Sequence, residues 1–125
     1  MIKGIHHISL KCINDEEYEK TVHFYKDILG LKVKRIWNDK DAIMLDCGNG
    51  YIEIMNHASC SLPQGTIRHL AFSVEDVDQY IALMKKEGYQ ITMEPKDVVL
   101  DELKARVGFC LGPVGEEIEF FQEKE

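Results

Sequence analysis

His7 with Glu53, then His69 with Glu119, form a pattern that the chain carries twice. The separations are 53 − 7 = 46 and 119 − 69 = 50, and the two histidines stand 69 − 7 = 62 positions apart in a chain of 125 residues. A near-equal spacing repeated across two halves is what a duplicated structural unit leaves in a sequence. The chain is therefore expected to fold as two similar modules.

Local patterning fills in each module. Residues 2–11 alternate as a strand, with Ile8 and Leu10 on one face and His7 and Ser9 on the other. Asn14 is a candidate N-cap with Glu17 three residues on, after which Tyr18, Val22, Tyr25 and Leu29 recur at helical spacing and Gly30 ends the helix. Short strands follow over 33–37, 42–47 and 51–55, separated by Asn38-Asp39-Lys40-Asp41 and by Gly48-Asn49-Gly50. Beyond a loop over 56–66 containing Pro63 and Gly65, the order recurs. A strand over 68–74 precedes a helix marked by Val77, Ile81 and Met84 and ended by Gly88, and strands follow over 89–93, 105–111 and 117–122. The charged segment 95–104 reads as a solvated loop, with a mobile hairpin or lid as the competing reading. The expectation is an α+β fold of two βαβββ modules, residues 1–57 and 67–125 joined by a linker over 58–66, whose curved sheets pair around a cleft.

Strand parity gives the repeated residues a direction. His7 falls opposite Ile8 and Leu10, Glu53 opposite Ile52 and Ile54, His69 opposite Leu70 and Phe72, and Glu119 opposite Ile118 and Phe120. Each points away from an apolar ridge suited to a helix. Polar residues on half-exposed strands alternate in the same way, so it is the paired spacing that favours a site. Two imidazoles and two carboxylates make an ordinary ligand set for a divalent metal with positions left for substrate. His6 has the opposite parity and reads as a packing or hydrogen-bonded residue. His23, on the helix, reads as bland, and His57 lies close enough to Glu53 to approach the cleft.

Composition excludes several partners. With 45% hydrophobic and 30% charged residues the chain can fill a core, and its formal charge of −7 opposes binding to a nucleic-acid backbone or an anionic membrane. The N-terminal residues lack a long apolar run, and no stretch of about eighteen apolar residues occurs, so a cytoplasmic location is expected. Cys12, Cys47, Cys60 and Cys110 contain no C-x-x-C pair, which argues against a thiolate zinc site or a redox motif. Cys47 and Cys110 read as small hydrophobes; Cys60, in a Ser-rich loop, is the more reactive candidate.

Five segments carry a family resemblance. They are Ile5-His6-His7-Ile8-Ser9-Leu10, Phe24-Tyr25-Lys26-Asp27-Ile28-Leu29-Gly30-Leu31, Tyr51-Ile52-Glu53-Ile54, Arg68-His69-Leu70-Ala71-Phe72-Ser73-Val74, and Gly112-Pro113-Val114-Gly115-Glu116-Glu117-Ile118-Glu119-Phe120. Together they resemble the vicinal oxygen chelate superfamily, which includes glyoxalase I, methylmalonyl-CoA epimerase, fosfomycin-resistance proteins and extradiol dioxygenases. The resemblance implies a divalent ion (zinc, nickel, cobalt or manganese) held by His7, Glu53, His69 and Glu119. Glutamate at position 53 leans toward glyoxalase I, since the epimerases usually carry glutamine there. The activity implied is metal-assisted proton transfer on a small α-oxo or α-hydroxy substrate such as a methylglyoxal hemithioacetal. An acyl-CoA epimerase and a non-catalytic, drug-sequestering binding protein are the alternatives. Glu119 is the expected base and Glu53 its counterpart. Lys11 and His57 occupy the substrate-binding positions, where the family's glutathione contacts are usually Arg and Asn. The resemblance further implies a homodimer acting on a small molecule.

Overall fold

The computed structural model describes residues 1, 5–59, 69–100 and 102–125. Expectations placed on Ile2, Lys3, Gly4, Cys60, Pro63, Gly65 and Arg68 lie outside these residues. The chain divides into two compact units, Met1–Pro63 and Gln64–Glu125.

The first unit runs β1 (His7–Lys11), α1 (Asp15–Val22), a π-helical turn (His23–Ile28), β2 (Lys32–Trp37), β3 (Ala42–Asp46) and β4 (Tyr51–Met55). The second runs β5 (His69–Ser73), α2 (Val77–Lys86), β6 (Ile91–Leu100), β7 (Leu103–Leu111) and β8 (Glu117–Lys124). Their sheets have the same order, β1-β4-β3-β2 and β5-β8-β7-β6. In each, the first and last strands are parallel and the remaining pairs antiparallel. Two βαβββ modules are thus present, as expected.

Both helices start from side-chain caps. Asn14 Oδ1 accepts the Glu17 N–H at 2.9 Å, while Glu17 Oε1 reaches back to accept the Ile13 N–H at 3.1 Å. Asp76 Oδ1 accepts the Gln79 N–H at 3.1 Å. Each cap satisfies an amide that has no partner within the helix, a contribution of about 1 kcal/mol. The ends differ. α2 closes at Gly88, whose φ of +85° lets Tyr89 N–H reach the Met84 carbonyl at 2.9 Å. α1 instead widens into the π-helical turn, where Leu29 N–H reaches Phe24 O at 2.9 Å.

That widening corrects the expected helical stripe. Tyr18 and Tyr25 are buried, but their companions are Thr21 and Phe24, whereas Val22 and Leu29 are only half-buried. Extra residues in the wide turn bring the neighbours Phe24 and Tyr25 inward together, their rings edge-on at 4.8 Å.

Beneath the helices lie the apolar sheet faces. Ile43, Leu45, Ile52 and Ile54 are buried in the first unit, and Leu70, Cys110, Ile118 and Phe120 in the second. Each such aliphatic or aromatic side chain contributes about 1.5–3 kcal/mol by leaving water. Tyr80 of α2 stacks on Phe120 at 5.1 Å, and the helix rests directly on Gly108, where an added Cβ would stand 2.8 Å from Ile81 Cγ1. The ridge on β1 is less complete than parity implied, because Ile8 at the sheet edge stays 37% exposed.

The segment 95–104 is not a loop. Residues 95–100 belong to β6, and Leu103 and Lys104 to β7, with Asp97 opposite Arg106, Val98 opposite Ala105 and Val99 opposite Lys104. The charges that suggest solvation are cross-strand partners. Arg106 Nε and Nη2 hold Asp78 of α2 at 2.6 and 2.9 Å, Nη1 reaches Asp97 at 3.1 Å, and Lys124 Nζ reaches Asp97 at 3.2 Å. Asp101 lies outside the described residues.

Candidate functional site

Strand register places each His beside its Glu. In the first unit β1 and β4 pair Ser9 with Glu53, so His7, two residues before Ser9, shares the face of Glu53 one diagonal away. His7 Nε2 and Glu53 Oε1 lie 3.9 Å apart. In the second unit β5 and β8 pair Ala71 with Glu119, and His69 again precedes the paired residue by two. His69 Nε2 and Glu119 Oε1 lie 3.2 Å apart.

Two donors on adjacent positions of one ion, each at about 2.0–2.2 Å, stand about 3 to 3.5 Å from one another. The His69–Glu119 pair already has that separation. His7–Glu53 is wider by a few tenths of an ångström, a difference that side-chain rotation can close. The donor types and spacing of each pair therefore fit two positions in the ligand shell of a divalent cation, while no group of three or more His, Cys, Asp or Glu among the described residues stands at metal-binding spacing.

The surroundings orient both imidazoles. His7 Nδ1 lies 3.0 Å from His6 Nδ1, which leaves Nε2 for Glu53 and supplies the outer partner that ligating histidines commonly have. His6 was expected on the apolar face. It precedes the ladder, so strand parity does not govern it, and its ring packs 5.2 Å from those of both His7 and Tyr51. His69 is held edge-on against Phe109 at 5.4 Å. The carboxylates are sheltered, with side chains 18% exposed for Glu53 and 12% for Glu119. Burial lifts the Glu119 carboxyl above the usual carboxylate range, Glu117 adding to the effect and His69 opposing it.

Lys11 ends β1 on the face of His7 and Ser9 and is exposed. His57 follows β4 with a φ of +65°, and its Nε2 lies 3.0 Å from Asp41 Oδ1. His57 is therefore engaged with the β2–β3 turn. His23 pairs with Asp27 at 2.9 Å on the helix surface, in keeping with a bland role. Cys12 and Cys110 are buried and unbridged; burial pushes the Cys110 thiol up to about 12 and raises Cys47 as well, so neither is disposed to act as a thiolate. Cys60 lies outside the described residues.

Residues not singled out from the sequence share these faces. Tyr51, Met44, Arg35 and Trp37 stand in the rows around Glu53, and Phe109 stands beside Glu119. A signal for β2 existed, because Val33 and Ile36 are three residues apart in a segment whose apolar period should be two.

Comparison with known proteins adds to this geometry. A family model described as the Glyoxalase/Bleomycin resistance protein/Dioxygenase superfamily matches residues 4–120. An uncharacterised protein of Bacillus subtilis (strain 168), YraH, is 28% identical over 121 residues, which is 88% of this chain and 91% of that one. Among solved structures, the glyoxalase family protein from Enterococcus faecalis is 29% identical, with a TM-score of 0.69 and coverage of 95% of this chain and 97% of its own. Lactoylglutathione lyase from Agrobacterium tumefaciens shares the fold at 15% identity, with a TM-score of 0.68 and coverage of 98% and 95%.

Proposed function

The chain belongs to the Glyoxalase/Bleomycin resistance protein/Dioxygenase superfamily, and on that premise we propose that it is a glyoxalase-like metalloenzyme. It isomerises a small α-oxo or α-hydroxy compound, of the class of a methylglyoxal hemithioacetal, by moving a proton between neighbouring carbons. His7, Glu53, His69 and Glu119 hold one divalent ion. The observation that carries this reading is the identical register of the two His–Glu pairs, each one diagonal apart on the first and last strands of its sheet.

Bound to that donor set, zinc, nickel, cobalt or manganese supplies Lewis acidity, which acidifies a C–H beside a carbonyl. Glu119 takes that proton and returns it to the adjacent carbon. Its sheltered carboxylate and its contact with His69 favour it over Glu53, which is its counterpart across the reaction. His6 keeps the His7 ring turned so that Nε2 faces Glu53. Lys11 attracts an anionic group of the substrate, and His57, braced on Asp41, borders the same unit's substrate end. The chain works as a cytoplasmic homodimer. No helix among the described residues is long and apolar enough to cross a bilayer.

Metal analysis of the purified protein, followed by NMR detection of substrate C–H exchange in deuterated water, tests this reading. A stoichiometric divalent ion and exchange with a methylglyoxal hemithioacetal are expected. If neither hemithioacetals nor acyl thioesters exchange in metal-loaded protein, while both still bind, a binding protein replaces the enzyme.

A further inference from the structure

A one-residue bulge decides which side chains of β2 share a face with Glu53. The strand pairs Lys32 with Asp46 and Val33 with Leu45, then shifts so that Arg35 rather than Lys34 stands opposite Met44, with Ile36 opposite Ile43 and Trp37 opposite Ala42. Met44 is itself opposite Glu53. Because cross-strand partners share a face, Arg35, Met44 and Glu53 form one row, and Trp37, Ala42, Met55 and Lys11 form the next. Without the bulge, Arg35 would stand opposite Ile43 and point to the apolar face. Bulges recur beside active sites for this purpose, re-aiming a side chain.

The guanidinium is also seated. Its central carbon lies 5.6 Å from the centroid of the Trp37 ring. A cation–π contact of this kind restrains the planar group while leaving its N–H donors open to a ligand. Among the described residues Arg35 has no carboxylate partner, in a chain where 22 acidic side chains outnumber 15 basic ones. An exposed arginine left without such a partner, on the face of a proposed active-site glutamate, is suited to an anion brought from outside.

We infer that Arg35 determines specificity by receiving a carboxylate at the far end of the substrate, so that preferred substrates carry an anionic tail. This rests on the isomerase reading of the Glu53 face. Two strand spacings of about 4.8 Å put the Arg35 and Glu53 backbones about 9–10 Å apart. The charge therefore lies several bonds from the reacting carbon. Lys11, on the same face in the adjoining row, adds a second positive charge toward which the tail is drawn.

Trp37 is the chain's single tryptophan, so its fluorescence reports on the arginine seat without metal or turnover. The probes are 3-(methylthio)propionate and its neutral counterpart 2-(methylthio)ethanol, titrated into wild type, Arg35→Gln and Arg35→Lys. The acid is expected to change Trp37 emission saturably and to bind about 10- to 100-fold more tightly than the alcohol, the range that one charge-assisted contact supplies. Arg35→Gln should erase that preference. Arg35→Lys should retain part of it, as a point charge lacking the planar fork. Equal affinity of the two probes for wild type, or an unchanged preference in Arg35→Gln, overturns the assignment. Exchange assays on hemithioacetals of methylglyoxal with 3-mercaptopropionate and with 2-mercaptoethanol separate this claim from the isomerase itself. Equal exchange of both removes the tail preference and keeps the enzyme. A fluorescence preference without exchange of either keeps the arginine seat and removes the enzyme.

Discussion

In the first unit the row through the glutamate reads Ser9, Glu53, Met44, Arg35, and in the second the matching row reads Ala71, Glu119, Phe109, Met93. The glutamate keeps its place in the ladder while Ser9 and Arg35 give way to Ala71 and Met93 and the residue between stays apolar. A second contrast lies on the opposite face. Ile43 stands across from Ile54 in the first sheet, but Gly108 stands across from Phe120 at the equivalent position, and α2 occupies the room that an isoleucine would fill. Duplication has preserved the register that makes the His–Glu pairs. Helix packing and the lining around the pairs have diverged.

The largest effect should come from testing whether the two glutamates have diverged as well. Glu119→Gln is expected to lower turnover by about 10² to 10⁴ with little change in substrate affinity, since an amide cannot accept the proton. Glu53→Gln should cost less. Equal losses at unchanged metal content would make the two halves chemically equivalent and end the asymmetry proposed for them.

The packing contrast predicts a smaller, purely structural response. Gly108→Ala pushes a methyl group into Ile81 and should destabilise the protein by about 1–3 kcal/mol, read as a lower melting temperature. Ile81→Val in the same chain should recover part of the loss. A silent Gly108→Ala would show that α2 is free to lift from the sheet, and the difference between the two helix seats would lose its meaning.

Weakest is the clasp between α2 and the β6–β7 hairpin, whose counterpart in the first unit is a single ion pair between Lys40 of the β2–β3 turn and Glu19 of α1. Arg106 holds the Asp78 and Asp97 carboxyls below their usual range. A carboxyl with a lowered folded value contributes fully above its unfolded pKa, about 3.9, and its contribution disappears as pH falls through the folded value. The urea midpoint of wild type should therefore exceed that of Arg106→Met by a constant margin between about pH 5 and 8. In stronger acid the margin should close. A margin that persists there would assign the clasp to the arginine stem's packing instead of its charge.

These contrasts explain what the sequence could disclose. The pairing of His7 with Glu53 and of His69 with Glu119 was legible because alternation along a strand is a local property, and because the pattern occurs twice. The cap at Asn14 is equally local. Arg35 is harder to read, since its direction depends on a register shift whose trace in the sequence is the three-residue spacing of Val33 and Ile36. The strand arms within 95–104 are hidden in the sequence because charge reads as solvation, whereas Asp97 and Arg106 answer each other across two strands. The π-helical turn escaped because 3.6-residue spacing is the assumption by which a helix is found at all.

Each His–Glu pair joins the first strand of its module to the last. These strands are parallel, so the chain must travel through a helix and two more strands before the pair can meet. Such contacts carry a large loop-closure cost and are slow to form. A ligand that bridges the pair binds the closed module and not the open chain, and stabilises closure by mass action. Opening of a module, followed by hydrogen exchange at β1 or β5, should accordingly become rarer as that ligand is added. The same two side chains that give a module its chemistry would serve as its latch.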